Sequence, residues 1–341
     1  MNYKVVIFIA GLLLSCTSCS GKGSDKAQSQ EGNSETMTEI ERNHVTGALI
    51  DSDKKTGTTF GTSAGNGSEA KSSLDFELLY CSDEDRVIFE SYIAYIKPFK
   101  SDEVSELIIK TAHFFLNKPY VASTLELEPE GLVVNLREFD CTTFDETVLA
   151  LSRVVKLYEK PAVEDFCGQL RNIRYRRGTV GDYTSRIHYF SDWIYENETR
   201  GHIKDVTKEI GGEPYKLKLN FMSSHPDSYK QMKSHPGYVE IMRKKETEIS
   251  DRNVYSYIPE AQIVSCGKEM KNGDIVCFVT DIEGLDISHV GFIYHDKGQL
   301  TFIHASTAAK KVIVNPQALS VYIEKNKRNI GLMIARPYIL K

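Results

Sequence analysis

The sequence predicts an α+β fold, because helical patterns fill the first half of its globular part and strand patterns fill the last third. Apolar residues recur at helical spacing, between start and stop signals, at about 83–96, 102–116, 141–158 and 162–175. Runs of β-branched and aromatic residues predict strands at 274–279, 290–294, 300–303, 312–314 and 332–335. Short turns between these strands, such as Asp296-Lys297-Gly298, favour antiparallel pairing.

The N-terminal segment has the pattern of an export signal. Lys4 precedes an apolar run, residues 5–14, that is too short to span a bilayer. Leu13-Leu14-Ser15-Cys16 resembles a bacterial lipobox, which implies lipidation of Cys16; Cys19 is the second candidate. The alternative is a plain secretion signal with incidental cysteines. We predict a signal peptide and lipobox at 1–19 and a lipoprotein anchored in the bacterial cell envelope, on the periplasmic side.

Composition divides the rest of the chain. Residues 20–74 are rich in Ser, Gly, Thr, Lys and Glu, which predicts a flexible tether because such a segment buries little apolar surface. Residues 75–341 are predicted to form the catalytic domain. Within it, residues 177–250 are polar and aromatic with several glycines, which predicts an insertion without regular structure that carries a specificity surface.

The charge and cysteine content exclude some functions. The chain of 341 residues has a formal net charge of −5, without the basic excess typical of nucleic-acid binding. Seven cysteines, less Cys16 and Cys19, leave five, so at least one thiol stays free in a monomer. Whether Cys266 pairs with Cys277 stays open. Because the cysteine spacings after residue 19 match no metal-ligand pattern, we do not expect a cysteine zinc site. We also predict no other metal and no cofactor, and we expect a monomer.

Cys141 is the candidate nucleophile. It follows an apolar extended run at 132–134 and immediately precedes a helical pattern, which places it near a helix N-terminus. Unpaired N–H groups and the macrodipole at that end favour an anion, so we expect a lowered thiol pKa. The alternative is a buried structural thiol.

Two histidines complete a possible catalytic set. His289 opens the strand 290–294 and His304 closes the strand 300–303, so a hairpin between them brings both imidazoles to one end of the sheet. A cysteine nucleophile needs a base and a group that orients the base. Either histidine alone fits an ordinary strand residue, but together with Cys141 they indicate nucleophilic catalysis.

Four motifs carry a family resemblance. FDCTTF at 139–144, GDIV at 273–276, SHVGF at 288–292 and IHAS at 303–306 resemble the motifs of NlpC-type papain-like cysteine peptidases and amidases, which act on bacterial peptidoglycan. The resemblance implies a nucleophile-bearing helix packed on a small antiparallel sheet, with Cys141 as nucleophile, His289 as general base and His304 as the orienting residue. Pro119-Tyr120 resembles the family's upstream Pro-Tyr, which implies that Tyr120 assists in binding the oxyanion.

The sequence departs from typical members of that family. Thr142-Thr143 follows the cysteine where Ser-Gly is usual, an extra extended segment (121–138) precedes it, and the insertion is long. These features, with RYRRG at 174–178 and SRIHYFSDW at 185–193, resemble N-acetylmuramoyl-L-alanine amidases that act on disaccharide-anhydro-muropeptides. This implies cleavage of GlcNAc-anhydro-MurNAc-peptides between the muramyl lactyl group and L-alanine.

Aromatic and charged residues near the insertion suit sugar binding. The predicted substrate-binding residues are Asp140, Tyr183, Ser185, Arg186, His188, Tyr189, Asp192 and Trp193. Trp193, Tyr183 and Tyr189 offer rings for stacking on pyranose faces. Arg186 and Asp192 offer hydrogen bonds to hydroxyl and acetamido groups. Tyr189 and Trp193 fit the core face of a helix equally well, and Asp140 fits a helix cap.

Three other functions remain open from the sequence. A γ-D-glutamyl-diamino acid endopeptidase would cut inside the stem peptide with the same chemistry. A non-catalytic muropeptide-binding lipoprotein would use the same residues only for binding. A zinc amidase would depend on a metal and lose activity with chelators.

Overall fold

The computed structural model describes residues 78–339. The predicted signal peptide, lipobox and tether lie outside these residues. Within them, no helix combines the length and the apolar character needed to cross a membrane.

Most helices lie in the first two thirds of the described chain, and two short ones lie in the last third. They are α1 (Asp83–Ile96), α2 (Val104–Phe114), α3 (Cys141–Leu157), α4 (Val163–Arg174), α5 (Phe190–Thr199), α6 (Phe221–Ser224), α7 (Lys230–Ser234), α8 (Gly237–Asp251), α9 (Ile263–Cys266) and α10 (Leu319–Lys325). The four helices predicted before residue 176 are confirmed, with bounds that differ by a few residues.

The predicted lack of regular structure in the insertion is wrong. Residues 177–250 contain α5, α6, α7 and almost all of α8, a helix of 15 residues. The polar composition hides α8, because its buried face includes Glu246 between Met242 and Ile249. A buried carboxylate at a core position breaks the apolar spacing by which a helix is recognised.

The strands form one large sheet and one small one. They are β1 (Leu79–Tyr80), β2 (Leu132–Val133), β3 (Ile203–Asp205), β4 (Glu213–Pro214), β5 (Ser256–Pro259), β6 (Ile275–Thr280), β7 (Ile287–Asp296), β8 (Gln299–Ser306), β9 (Lys311–Val314) and β10 (Asn329–Pro337). The large sheet has the order β4-β5-β10-β6-β7-β8-β9, with β3 paired to β10, while β1 and β2 pair in parallel. The five predicted strands and the antiparallel pairing are confirmed.

Helix α3 packs on one face of the large sheet. Its buried residues join Cys277 and Val279 of β6 and Phe292 of β7 in the larger hydrophobic core. Phe144 meets Phe292 edge to face, with ring centroids 5.9 Å apart. Each buried aromatic side chain of this kind stabilises the fold by about 1.5–3 kcal/mol relative to leaving it in water. The helix is therefore fixed against the sheet along its length.

The two cysteines whose pairing was open lie on opposite faces of the sheet. Cys277 belongs to the core shared with α3, whereas Cys266 packs against the second core, beyond β6. Both are free, as are the other three described cysteines. The sheet between them prevents a disulfide without unfolding.

We expect Gly331→Ala to destabilise the fold, because a Cβ at this position of β10 would lie 2.3 Å from the Ile258 carbonyl oxygen of β5. The expected loss is about 1–3 kcal/mol in the free energy of unfolding, measured by urea denaturation. Gly237→Ala is the matched control, since its Cβ would meet nothing within 4 Å. Equal stability of the two variants would contradict the described register of β5 and β10.

Candidate active site

A capping box fixes the start of α3 at Cys141. The Asp140 carboxylate accepts hydrogen bonds from the Thr143 backbone N–H at 2.8 Å and from its hydroxyl at 2.9 Å. The Asp140 N–H in turn donates to the Thr143 hydroxyl at 2.9 Å. This reciprocal arrangement satisfies the first orphan donors of the helix, a contribution of about 1 kcal/mol. Asp140 therefore caps the helix, one residue before the thiol.

The chain that enters the helix also holds Tyr120. The Phe139 N–H donates to the Pro119 carbonyl at 3.0 Å, and the Val121 N–H donates to the Phe139 carbonyl at 3.0 Å. Tyr120 is thereby bridged to the residue two positions before Cys141. Burial, followed by proximity to Cys141, raises the pKa of the Tyr120 phenol, which stays protonated at neutral pH. It remains a hydrogen-bond donor beside the thiol.

The β7–β8 hairpin brings the two histidines together. Phe292 pairs with Ile303 in this antiparallel ladder, and His289 Nε2 lies 2.6 Å from His304 Nδ1. The imidazole planes are nearly perpendicular, at 85°. One of the two nitrogens carries the shared proton, so each ring fixes the tautomer of the other.

Aromatic rings pack against the histidine pair, while His289 stays half-buried at the cavity. Phe302 lies 4.4 Å from His304 between ring centroids, Phe278 lies 5.9 Å from His289, and Tyr322 lies 6.0 Å from His304. Burial lowers the pKa of His289 to about 4 and that of His304 well below its usual range. Both imidazoles are therefore neutral at pH 7, and His289 is available to accept a proton.

Cys141 is buried, and its thiol pKa is raised. The expectation of a lowered pKa, drawn from its position at a helix N-terminus, is wrong. Burial raises the thiol pKa, followed by the neighbouring carboxyl groups of Asp140 and Asp145. The side chain is only 3% exposed, so the loss of hydration outweighs the favourable field at the helix start. At rest the Cys141 side chain is therefore a thiol, and it would need a base to act as a nucleophile.

Cys141 and His289 line the same cavity, which has a volume of about 600 Å³. Within residues 78–339, the hydrogen bonds include none between the thiol and His289, and such contacts commonly tighten only when substrate binds. The volume lies within the range of about 300–1,000 Å³ typical of small-molecule sites. The cavity thus brings a thiol and a neutral imidazole to a space that accepts a ligand.

Five of the eight predicted substrate-binding residues line this cavity. They are Asp140, Tyr183, Arg186, His188 and Tyr189. Most are already engaged by the protein: the guanidinium of Arg186 pairs with Glu126 at 3.2 Å and with Glu130 at 3.4 Å. Tyr189 donates its hydroxyl to Glu246 at 2.6 Å, and a ring nitrogen of His188 lies 2.8 Å from the Tyr183 carbonyl oxygen.

The other three do not line the cavity, because structural contacts hold them elsewhere. Asp192 is fully buried between Arg176, at 2.5 Å, and Arg252, at 2.6 Å. Trp193 is 1% exposed and stacks on Phe190, with centroids 4.6 Å apart. The Ser185 hydroxyl donates to the Asp182 carbonyl at 2.7 Å. The core-face alternative describes Trp193 better than sugar stacking does.

Sequence reasoning missed a buried ion pair in the cavity wall. Arg174 Nε donates to Glu146 Oε2 at 2.7 Å and Arg174 Nη1 donates to the Val133 carbonyl at 2.6 Å. Glu146 lies five residues after Cys141, and Arg174 begins the segment RYRRG at 174–178, so the two are far apart in the sequence. The pair links α3 to α4, an arrangement visible only in three dimensions. Removing one partner of such a pair typically costs about 3–5 kcal/mol.

Asp145 was also missed. Both of its carboxyl oxygens are buried and have no hydrogen-bond partner within the described chain. Burial, followed by the nearby Glu146 and Asp140, raises the pKa of its carboxyl group well above the ordinary value. Within residues 78–339, no group of three or more His, Cys, Asp or Glu side chains is placed to hold a metal ion.

Comparison with known proteins identifies similar sequences and structures. Residues 110–332 match the sequence model of the AmiA-like family, described as N-acetylmuramoyl-L-alanine amidase-like. A crystal structure of an N-acetylmuramoyl-L-alanine amidase from Bacteroides uniformis is 36% identical, with a TM-score of 0.64, and the match covers 69% of this chain and 99% of that one.

Two further structures are similar. A Bacteroides fragilis protein, whose structure carries a provisional xylanase name, is 38% identical with a TM-score of 0.62, and the match covers 66% of this chain and 98% of that one. A Legionella pneumophila protein is 21% identical with a TM-score of 0.56, covering 75% and 94% of the two chains, a likeness that shows the fold alone. No match to this chain was found among curated proteins.

We expect alkylation of Cys141 by iodoacetamide to be slow at pH 7 and to rise about tenfold per pH unit between pH 6 and 9, because the thiolate fraction is small below a raised pKa. Peptide mass spectrometry separates Cys141 from the other cysteines, and Cys141→Ala gives the background. Limited access to a buried thiol lowers every rate but leaves this slope unchanged. A plateau below pH 7 would show a preformed thiolate and contradict the neutral thiol.

Proposed function

This chain belongs to the AmiA-like family of N-acetylmuramoyl-L-alanine amidase-like proteins, and from that premise we propose how it works and on what. The family and the amidase neighbour make it a peptidoglycan amidase. We propose that it uses Cys141 to hydrolyse the amide between N-acetylmuramic acid and L-alanine in GlcNAc-anhydro-MurNAc-peptides. The observation that carries the proposal is the cavity that Cys141 and His289 share.

Because the Cys141 thiol and the His289 imidazole are both neutral, the first step of the proposed reaction is a proton transfer between them. His289 removes the proton from Cys141 Sγ as the sulfur attacks the lactyl carbonyl carbon of the muramic acid. Since the thiol pKa is raised and the His289 pKa is lowered to about 4, neither group is ionised before substrate arrives. General-base assistance of this kind contributes about 10²–10⁴-fold to a rate.

The remaining groups stabilise the tetrahedral intermediate and assist its conversion to products. The Cys141 N–H and the Tyr120 hydroxyl donate to the oxyanion, and His304, 2.6 Å from His289, keeps the base in one orientation. His289 then returns the proton to the departing L-alanine nitrogen, which leaves the lactyl group as a thioester on Cys141. Water, activated by the same histidine, hydrolyses the thioester and restores the thiol.

The shape and lining of the cavity support a sugar beside the nucleophile. Tyr183, His188, Tyr189 and Phe190 come from the insertion and share the cavity with Cys141. Aromatic and polar side chains in one wall suit a pyranose ring and its acetamido group. This favours cleavage next to the sugar over the γ-D-glutamyl-diamino acid endopeptidase, which would place the sugar two residues away.

The residues of this cavity do not suit glycoside hydrolysis, the activity that the provisional name of the Bacteroides fragilis protein implies. Glycoside hydrolysis requires a pair of carboxyl groups free to act as acid and as base or nucleophile. Of the buried carboxylates in the lining, Glu146 is paired with Arg174 and Asp140 caps α3. A cysteine and a histidine pair are unnecessary for that chemistry.

The envelope location belongs to the same proposal. We propose that residues 1–19 direct export, that Cys16 carries the lipid, and that residues 20–74 tether an NlpC-type papain-like domain at 75–341. Periplasmic fragments of peptidoglycan would then reach the enzyme by diffusion. A monomer suffices, because one chain supplies every group named above.

The proposed reaction predicts two products. Incubation of the enzyme with GlcNAc-anhydro-MurNAc-tetrapeptide should release the intact disaccharide and a peptide that begins with L-alanine, identified by mass spectrometry. Cys141→Ala should release neither while still binding the substrate, because only the nucleophile is removed. Release of a sugar that retains L-Ala-D-Glu would indicate the endopeptidase, and no cleavage would leave a binding lipoprotein.

Removal of residues 1–75 should leave an active enzyme that no longer sediments with membranes, because the described fold begins at residue 78. Activity on the tetrapeptide substrate should remain within about twofold of that of the full chain, since the removed residues contribute no proposed catalytic group. Cys16→Ser in the full chain is the matched control for anchoring. Failure of the truncated chain to fold would contradict the proposed boundary.

A further inference from the structure

One wall of the cavity is formed by a short segment that the mechanism does not use. Asp227, Ser228, Tyr229, Lys230 and Lys233 all line the same cavity as Cys141. Lys230 and Lys233 lie on α7, three residues apart, and both are exposed. Residues at this spacing project from neighbouring positions on one helix face. The segment therefore presents two ammonium groups to the cavity that Cys141 also lines.

Lys230 and Lys233 are the cationic side chains of the cavity lining that form no close ion pair within the described chain. Arg174 is bound to Glu146, and Arg186 is bound to Glu126 and Glu130. Lys233 has no ion pair within residues 78–339, and Lys230 has only a long contact of 3.8 Å to Glu128. With Asp227 as the single carboxylate of this segment, the wall carries a net positive charge at neutral pH.

A second observation points to a ligand at this wall. Tyr229 is 92% buried, since its relative exposure is 8%, and its hydroxyl has no hydrogen-bond partner within the described chain. Burial keeps the phenol protonated by raising its pKa. A buried hydroxyl of this kind normally has a partner, and leaving it without one costs about 1–3 kcal/mol.

We propose that Lys230 and Lys233, with Tyr229 as a supporting donor, bind the free α-carboxylate of the second residue of the stem peptide. The inference rests on the proposed function, which places the sugar at one wall and the stem peptide beyond the cleaved bond. A glutamate linked through its γ-carboxyl group keeps its α-carboxylate free. The lysines therefore make the enzyme selective for stems whose glutamate is not amidated.

The chemistry favours discrimination by charge over discrimination by shape. An amide in place of the carboxylate is nearly isosteric but loses the ion pair with both ammonium groups. Lysine acts as a flexible point charge, so the subsite tolerates variation in the peptide while still requiring an anion. Exposed ion pairs are screened by salt, so the selectivity should decline as ionic strength rises.

Two substrates that differ in one group test the proposal. Both carry GlcNAc-anhydro-MurNAc on L-Ala-D-Glu-L-Lys with an amidated C-terminus, and the second has D-isoglutamine in place of D-glutamate. The unmodified enzyme should prefer the glutamate substrate by about tenfold in kcat/KM at low ionic strength, which corresponds to about 1.4 kcal/mol. The double variant Lys230→Gln, Lys233→Gln should reduce this preference to about twofold or less.

Lys208→Gln is the matched control, because it removes the same charge from an exposed position that does not line the cavity. It should retain the full preference. Equal cleavage of the two substrates by the unmodified enzyme, or a preference that survives in the double variant, would overturn the lysine subsite and leave the amidase reaction intact.

A measurement of substrate binding tests the lysine subsite independently of the proposed amidase reaction. The affinity of each substrate for Cys141→Ala, measured by calorimetry, should show the same preference and the same loss in the double variant. Selective binding without cleavage by the unmodified enzyme would uphold the subsite and refute the amidase. Equal affinities of Cys141→Ala for both substrates would refute the subsite.

Discussion

Desolvation at the start of α3 is the constraint on which the account of the site depends. Cys141 and His304 are buried, and His289 is half-buried, through the packing of α3 and of the aromatic rings around the histidines. Burial disfavours every charged form, so the thiol and both imidazoles rest as neutral groups. A neutral thiol is a weaker nucleophile than a thiolate, so in the proposed mechanism Cys141 reacts only when a base takes its proton. The helix start contributes a favourable field, but burial decides the protonation state.

The elements that position Cys141 and the two histidines were predictable because local sequence patterns define them. Apolar spacing marked α3, and turn residues marked the β7–β8 hairpin, so the meeting of the two histidines followed from antiparallel register. The state of the Cys141 thiol was not predictable in the same way. Its position in the chain suggested a lowered pKa, whereas its environment is set by distant segments that no local pattern contains. Asp145 could not be recognised from the sequence for the same reason, because its burial depends on how α3 packs against the sheet.

The insertion shows where composition misleads. Asp192 and Trp193 look like sugar ligands in the sequence, yet Asp192 joins Arg176 and Arg252 in a buried cluster and Trp193 packs in the core. Buried charges of this kind substitute for apolar residues inside the insertion, which is why its helices lack a clear apolar period. The residues left to contact a ligand are those at helix and loop ends, where short-range sequence gives little indication. Lys233, which we propose binds the stem peptide, is an example, since a lysine in a polar segment is ordinarily a solvated surface residue.

The most direct test of the central claim is to trap the covalent intermediate. Rapid acid quenching of the enzyme during turnover of GlcNAc-anhydro-MurNAc-tetrapeptide, followed by intact-protein and peptide mass spectrometry, measures what is attached and where. We predict an adduct equal in mass to the disaccharide joined through its lactyl acyl group, located on Cys141 and absent from Cys141→Ala. An adduct that also contains L-Ala-D-Glu would move the cleaved bond into the stem peptide. Turnover without any adduct on Cys141, under conditions where the thioester should accumulate, would contradict catalysis by the buried thiol.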